Sequence, residues 1–178
     1  MRRTIRVLLA ACLGVGAIGV GSKAMADDTA GQRGQGKCDG SRERTQQIVR
    51  DLFRRREVAD VDGLWQMFAN GGMITFPFTG DKLLPPTVYV KPQDEAVFKA
   101  GIGALLSSLV GLTFTDLVFT PLAERGATLV SYHGHATVSF TGKEYDARLL
   151  TEVHVACGRV TAYTEWYDPA VLLEALTP

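Results

Sequence analysis

The chain has 178 residues, 46% of them hydrophobic, and its 19 basic residues balance 19 acidic ones. This length fits one domain with enough chain to bury a core, and the hydrophobic fraction excludes a disordered protein. A net charge of zero provides no basic face, so the composition disfavours nucleic acid as a partner.

The N-terminus has the three parts of a secretory signal peptide. Three arginines lie within the first six residues, residues 7–20 are apolar and Gly-rich, and Ala24-Met25-Ala26 forms a small-x-small cleavage site. Residues 7–20 are too few to span a membrane. We therefore expect residues 1–26 to be removed and the mature protein to be periplasmic or secreted. Cleavage takes four of the 19 basic residues and no acidic one, which leaves 15 against 19 and a net charge of −4.

The cysteines leave two questions about export and oxidation open. Leu9-Ala10-Ala11-Cys12 resembles a lipobox, so lipidation at Cys12 is an alternative to full secretion, although the apolar run continues past it. The paired arginines also suit the twin-arginine route. If Cys12 leaves with the signal, then Cys38 and Cys157 remain and an oxidising compartment favours a disulfide between them. Two free thiols are the alternative.

The first part of the mature chain has helical periodicity. Residues 27–40 are polar and Gly-rich and are expected to form a flexible leader. Apolar spacing predicts a helix over 42–57 with Ser41 as its N-cap, and a second short helix that ends at Asn70-Gly71-Gly72. A strand over 73–78 follows. A small strand over 87–90 and a longer helix from Pro92 or Gln93 to Gly111 complete this half.

After Gly111 the hydrophobic period changes from helical to alternating. Strands are expected over 113–123, 127–140, 145–156 and 159–167, with short turns between them, and a short helix over 171–176. Helices followed by consecutive strands predict an α+β domain over residues 41–178, in which helices pack on a curved antiparallel sheet.

Two motifs give the chain a resemblance to a known superfamily. The first runs from Asp62-x-x-Trp65-x-x-Phe68-Ala69 into Met73-Ile74-Thr75-Phe76-Pro77, and the second runs from Gly158-Arg159-Val160 through Glu165 to Asp168-Pro169. Their order and spacing resemble SnoaL-like domains of the nuclear transport factor 2-like superfamily over about residues 42–176. Its small-molecule branch includes polyketide cyclases, ketosteroid isomerase, limonene epoxide hydrolase and scytalone dehydratase. The resemblance implies a cone-shaped, cystatin-like roll around a mostly apolar blind cavity, and it implies no cofactor.

The resemblance also implies a catalytic site. The arginine and two aspartates of the epoxide hydrolase correspond to His133, His135 and Glu165, so these three side chains are expected to converge in the cavity. An imidazole beside a carboxylate in an apolar cavity is an acid/base pair that titrates near neutrality. Tyr163 or Ser131 would orient this pair or donate to a developing oxyanion.

This site depends on which face of the strand over 127–140 points inward. One face carries Leu129, Ser131, His133, His135 and Thr137, and the other carries Val130, Tyr132, Ala136, Val138 and Phe140. We assign the first face to the cavity and the second to the outer surface, where its apolar stripe would form a homodimer. The alternative is that both histidines are solvated and that Glu165 pairs with Arg159 or Arg148.

Other residues are expected to line the cavity, and their identities limit the reaction. The candidate ligand-binding residues are Trp65, Phe76, Phe78, Ser131, Leu149, Thr151 and Tyr167. Phe76 stands where ketosteroid isomerase has its general base, and Phe76 and Phe78 replace the water-holding Tyr and Asn of the epoxide hydrolase. Both of those reactions are therefore disfavoured. Scytalone dehydratase has the nearer inventory, and the cyclases would give Glu165 the role of base.

Two functions from different classes follow. The first is an exported enzyme that performs proton transfer (isomerisation, cyclisation or dehydration) on a small, largely apolar molecule. The second is a non-catalytic ligand-binding or dimerisation module of the same fold. A zinc site at His133-x-His135 with His154 or Cys157 is not expected, because His154 should face away from the pair and Cys157 lies in a turn.

Overall fold

A computed structural model describes residues 40–77 and 87–178. Its elements in chain order are α1 (Arg42–Glu57), α2 (Val61–Gln66), β1 (Phe68–Phe76), β2 (Thr87–Val90), α3 (Glu95–Ser108), β3 (Leu109–Pro121), β4 (Ala127–Val138), β5 (Glu144–Ala156), β6 (Arg159–Trp166) and α4 (Pro169–Leu176). Ser41, Asp60 and Asp168 cap α1, α2 and α4 by accepting hydrogen bonds from backbone amides of the first turn. The side chains of the preceding residues thus set where these helices begin.

The six strands form one sheet in the order β2-β1-β6-β5-β4-β3. Neighbouring strands are antiparallel except for β1 and β6, which run parallel. The predicted α+β class is confirmed, and the sheet is mixed rather than wholly antiparallel. The turn between β5 and β6 has only Cys157 and Gly158, both at positive φ, which is the conformation of a tight hairpin turn.

The two largest differences from the predicted element boundaries are the starts of β1 and β3, and in both cases a glycine lies in an irregular strand. β1 begins at Phe68, which pairs with Val160 of β6, and the register shifts between Phe68 and Met73. The predicted helix stop at residues 70–72 therefore lies within this irregular stretch. Likewise β3 starts directly after α3, and Gly111 with φ of 68° lies in a bulge of β3 instead of ending the helix.

The helices cover the inner face of the sheet and form the core with it. Alternate side chains of the strands point inward, and those of Val130, Val138, Val153 and Val160 are fully buried. The apolar face of α1, with Val49, Leu52 and Phe53, is buried in the same cluster. Each such side chain contributes roughly 1.5–3 kcal/mol to stability when it is fully buried. Packing between the helices and the sheet therefore stabilises the walls of the cavity between them.

The predicted signal peptide and most of the leader, residues 1–39, lie outside the described residues, so export stays a prediction. Within the ranges 40–77 and 87–178, none of the helices is long and apolar enough to cross a membrane.

Candidate functional site

A cavity of about 150 Å³ lies between the helices and the inner face of the sheet. Apolar side chains from most of the elements line it, among them Leu52, Ile74, Phe76, Ile102, Phe114 and Leu149. The polar side chains on its wall include those of Arg56, Tyr145, Tyr163, Glu165 and Tyr167. An apolar cavity with a few converging polar groups is the usual composition of a small-molecule site.

The polar groups are organised around the Glu165 carboxylate, which is 4% exposed. Arg56 donates from Nη1 to Oε2 at 2.5 Å and from Nη2 to Oε1 at 3.2 Å, which makes a bidentate ion pair. The hydroxyls of Tyr132 (2.6 Å) and Tyr163 also donate to Oε2. We call these four residues, Arg56, Tyr132, Tyr163 and Glu165, the carboxylate cluster.

Further contacts hold the members of the carboxylate cluster in place. The Arg56 guanidinium carbon lies 4.7 Å from the centre of the Phe114 ring, and Arg56 Nη1 also donates to the Tyr163 oxygen at 2.7 Å. Thr151, fully buried behind Tyr132, shares a hydrogen bond of 2.9 Å with the Tyr132 hydroxyl. The cluster is therefore a connected network in which both charges are compensated.

The charges in the cluster fix its protonation state. Burial raises the pKa of Glu165, but the Arg56 charge and the hydrogen bonds from Arg56, Tyr132 and Tyr163 outweigh burial and leave that pKa lowered. Burial raises the pKa of Tyr163 and of Tyr132, so both phenols are neutral donors at pH 7. Glu165 is thus ionised, already accepts several hydrogen bonds, and is a weak base in this state.

Tyr145 adds a phenol that the cluster does not use. Its side chain lines the cavity and is 6% exposed, and its hydroxyl makes no hydrogen bond to another residue of the described ranges. Burial, together with the Glu165 charge, raises the pKa of Tyr145, so its hydroxyl keeps its proton. It is therefore a donor available to a molecule in the cavity.

The sequence-based site missed Arg56. This residue follows Val49, Leu52 and Phe53 at spacings of seven, four and three, so it lies on the buried face of α1. Helical spacing could have found it. The three consecutive arginines at residues 54–56 concealed it, because basic residues at a helix C-terminus are ordinarily solvated and favoured there by the helix dipole.

The structure separates the predicted catalytic residues into two groups. Glu165 and Tyr163 line the cavity, as expected. His133 and His135 do not: they lie on the outer face of β4, where both contact Asp146 of β5. The expected convergence of the two imidazoles with Glu165 is therefore wrong. The reason is that Tyr132 and Val130 occupy the inward positions of β4.

The same inversion affects the predicted dimer stripe. Val130, Tyr132 and Val138 are buried against the helices and cannot form an outer surface, so the stripe assigned to that face is wrong. Phe140, the last member of the stripe, lines the cavity. His154 shares the outer face with the other histidines instead of facing away from them, and Glu124 and Glu152 contact its two ring nitrogens.

The predicted ligand-binding residues divide in the same way. Phe76, Leu149 and Tyr167 line the cavity. Ser131 is on the outer face and exposed, and Trp65 is fully buried in the core, where its ring packs 4.8 Å from that of Phe98. Thr151 makes a hydrogen bond with the Tyr132 hydroxyl and is not among the residues that line the cavity. Phe78 lies outside the described residues.

The predicted disulfide is not tested by the described residues. Cys157 is in the β5–β6 turn, and Cys38 falls in the range 1–39. The pairing stays a prediction.

Comparisons with solved structures identify similar folds. No model of a known protein family and no curated protein matches the sequence. A phenazine biosynthesis-related protein from Pseudomonas aeruginosa superposes with a TM-score of 0.60 at 15% identity, over 77% of this chain and 89% of that one. An NTF2-like protein from Burkholderia xenovorans has a TM-score of 0.57 at 21% identity, over 77% of this chain and 98% of that one. SalBIII, described as an epoxide hydrolase/cyclase-like enzyme in pyran ring formation in the polyether salinomycin, has a TM-score of 0.59 at 13% identity, over 74% of this chain and 95% of that one. Identities this low show a shared fold.

Proposed function

We propose that this chain, which has the nuclear transport factor 2-like fold, is an exported protein that binds a small, largely apolar molecule carrying an oxygen acceptor. One observation carries the proposal: an apolar cavity of about 150 Å³ has the polar groups Arg56, Tyr163 and Glu165 on its wall, together with the Tyr145 hydroxyl. An apolar cavity of this volume holds a ligand the size of one six-membered ring.

The unused Tyr145 hydroxyl gives the ligand its orientation. An oxygen on the ligand would accept from this phenol, while the ring carbons replace water against Ile74, Phe76 and Leu149. A neutral hydrogen bond of this kind contributes about 0.5–1.5 kcal/mol. The apolar lining supplies the rest of the affinity, so the site selects first for size and then for one acceptor.

Cyclohexanone and cyclohexane test this proposal, because they share a ring size and differ in one oxygen. In NMR titrations of the mature protein, both are expected to shift signals of cavity-lining methyl groups. Tyr145→Phe should weaken cyclohexanone binding about 2- to 10-fold and leave cyclohexane binding unchanged. The matched control is Tyr167→Phe, another phenol of the cavity wall. Failure of both rings to bind would contradict the proposal.

Proton-transfer catalysis is the second candidate, and the position of the Glu165 carboxylate on the cavity wall favours it. The lowered pKa of Glu165 argues against its use as a base, since its hydrogen-bond donors would first have to be released. Deuterium exchange at the α-carbons of cyclohexanone in D₂O separates the two candidates. We expect exchange at the buffer rate. Protein-catalysed exchange that is lost in Glu165→Gln would instead favour proton-transfer catalysis over ligand binding as the function.

Export is part of the proposal and has its own test. The support is the arrangement of arginines, apolar run and cleavage site over residues 1–26. N-terminal sequencing of the protein from its native host should begin at Asp27. A mature chain that begins with a lipidated Cys12 would replace this prediction with the anchored alternative.

A homodimer through the outer sheet face also remains proposed, although with different residues. Val118, Leu150 and Trp166 are exposed there and lie in one row across β3, β4, β5 and β6, with Ser131 between Val118 and Leu150. Apolar side chains aligned on an exposed sheet face support such an interface.

A further inference from the structure

The outer face of β4 and β5 holds a cluster that the cavity does not use. His133 and His135 are two residues apart on β4, so both project from the outer face. Asp146 is the direct antiparallel partner of His135 on β5. The strand register therefore places two imidazoles and one carboxylate on the same patch, and one ligand atom from each lies within 4.8 Å of the other two.

Two distances within this cluster are close to those between ligands of one ion, and each involves a different oxygen of Asp146. Asp146 Oδ1 lies 3.4 Å from His133 Nε2, and Asp146 Oδ2 lies 3.5 Å from His135 Nδ1. Ligand atoms about 2.1 Å from a tetrahedral zinc ion are about 3.4 Å apart. Each oxygen of the Asp146 carboxylate thus lies at about that spacing from the imidazole that it faces.

A second contact orients one imidazole. Thr115 Oγ1 of β3 lies 3.4 Å from His135 Nε2, the ring nitrogen opposite the one that faces Asp146. Histidines that bind metals commonly place the remaining ring nitrogen against an oxygen atom, which fixes the ring and its tautomer. In the tautomer that carries its proton on Nε2, the Nδ1 lone pair is directed at the cluster.

We propose that His133, His135 and Asp146 form a binding site for one divalent transition-metal ion, of which zinc is the representative. Two imidazoles and a carboxylate are a donor set for zinc, copper(II) or nickel and a poor one for magnesium. Three protein ligands leave one tetrahedral position for water. The ligand atoms that lie farthest apart, up to 4.8 Å, come within reach of one ion by small side-chain rotations. Such rotations are possible because the side chains of Asp146 and His135 are 60% and 39% exposed.

The neighbouring charges have opposite effects on such an ion. Arg148 is the partner of His133 on β5 and projects from the same face, so its charge opposes cation binding. Glu144 is the β5 partner of Thr137 and accepts a hydrogen bond of 3.1 Å from its hydroxyl. It lies on the other side of Asp146, and its negative charge favours cation binding. Arg148→Gln should therefore tighten zinc binding.

The proposal is tested by calorimetric titration of zinc chloride into untagged, chelator-treated protein at about pH 7.5. One ion per chain is expected. His133→Asn, His135→Asn and Asp146→Asn should each weaken binding about tenfold or more, since even outer-shell partners of a metal act on this scale. All three positions are partly exposed, so urea midpoints should stay close to that of the wild type.

His154→Asn is the matched control. His154 lies on the same face of the sheet, but Glu124 approaches its Nδ1 and Glu152 its Nε2, so the two carboxylates cannot share one ion with a single ring nitrogen. Zinc affinity should change less than about twofold, and only the imidazole proton signals of His133 and His135 should shift on titration. The proposal is overturned if no saturable binding occurs up to about 0.1 mM zinc, or if His154→Asn weakens binding as much as His135→Asn.

Discussion

Replacing Arg56 by methionine removes the cation that faces the buried Glu165 carboxylate while keeping an apolar side chain of similar length. The side chains of the pair are only 14% and 5% exposed. Removal of one partner of such a pair typically costs 3–5 kcal/mol, because the other charge stays buried without compensation. We expect a loss of about 4 kcal/mol in the free energy of unfolding at pH 7, measured by urea denaturation followed by circular dichroism.

The pH dependence of the two proteins should also differ. In the wild type the folded-state pKa of Glu165 is lowered, so its contribution to stability is present above the unfolded pKa of about 4.3 and is lost as the pH falls through the folded value. In Arg56→Met, burial dominates and raises that pKa. The contribution is then present below about pH 4.3 and is lost as the pH rises through the raised folded value.

The double variant Arg56→Met/Glu165→Gln is the control. It leaves no unpaired charge in the cavity wall, so it should be more stable at pH 7 than Arg56→Met alone. The reasoning is refuted if Arg56→Met costs less than about 1 kcal/mol, the scale of an exposed pair, or if its stability between pH 5 and 8 follows that of the wild type.

Three further predictions concern the turns, the cysteines and the assembly. Gly126→Ala should cost about 2–3 kcal/mol in urea denaturation, because Gly126 has φ of 82° and an added Cβ would lie 2.2 Å from the Val155 oxygen. Gly142→Ala, with φ of 72° and open space around it, should cost only about 1 kcal/mol. In mature protein purified without reductant, alkylation should detect no free thiol at Cys38 or Cys157, and two modified thiols would contradict the disulfide. Sedimentation should show a dimer, and a monomer alone at high concentration would exclude it.

The β4 assignment shows where sequence reasoning stopped. Alternation correctly separated His133 and His135 from Tyr132 and Val138, but it does not say which set faces inward. Hydrophobicity alone favours the second set as the core. The resemblance to the epoxide hydrolase predicts the first set instead, and the structure buries the second. Because side chains alternate with a period of two, choosing the wrong set reverses the orientation of every side chain on the strand.

Most of the fold was predictable because local signals agreed with each other. The apolar spacing and cap of α1, the turn glycines between the later strands and Pro169 at the start of α4 each point to one structure. The carboxylate cluster was only half predictable. Glu165 and Tyr163 share a face of β6 by alternation, whereas their pairing with Arg56 depends on how α1 lies across the sheet, which no local pattern encodes.

The ion pair between Arg56 and Glu165 joins residues 109 positions apart, on the first described helix and the last strand. In the same way, β1 lies beside β6 in the sheet. Strands β1 and β2 therefore join the other strands only through β6, which is the last strand in the chain. A truncation before β6 would leave the Arg56 guanidinium and strand β1 without their partners on that strand.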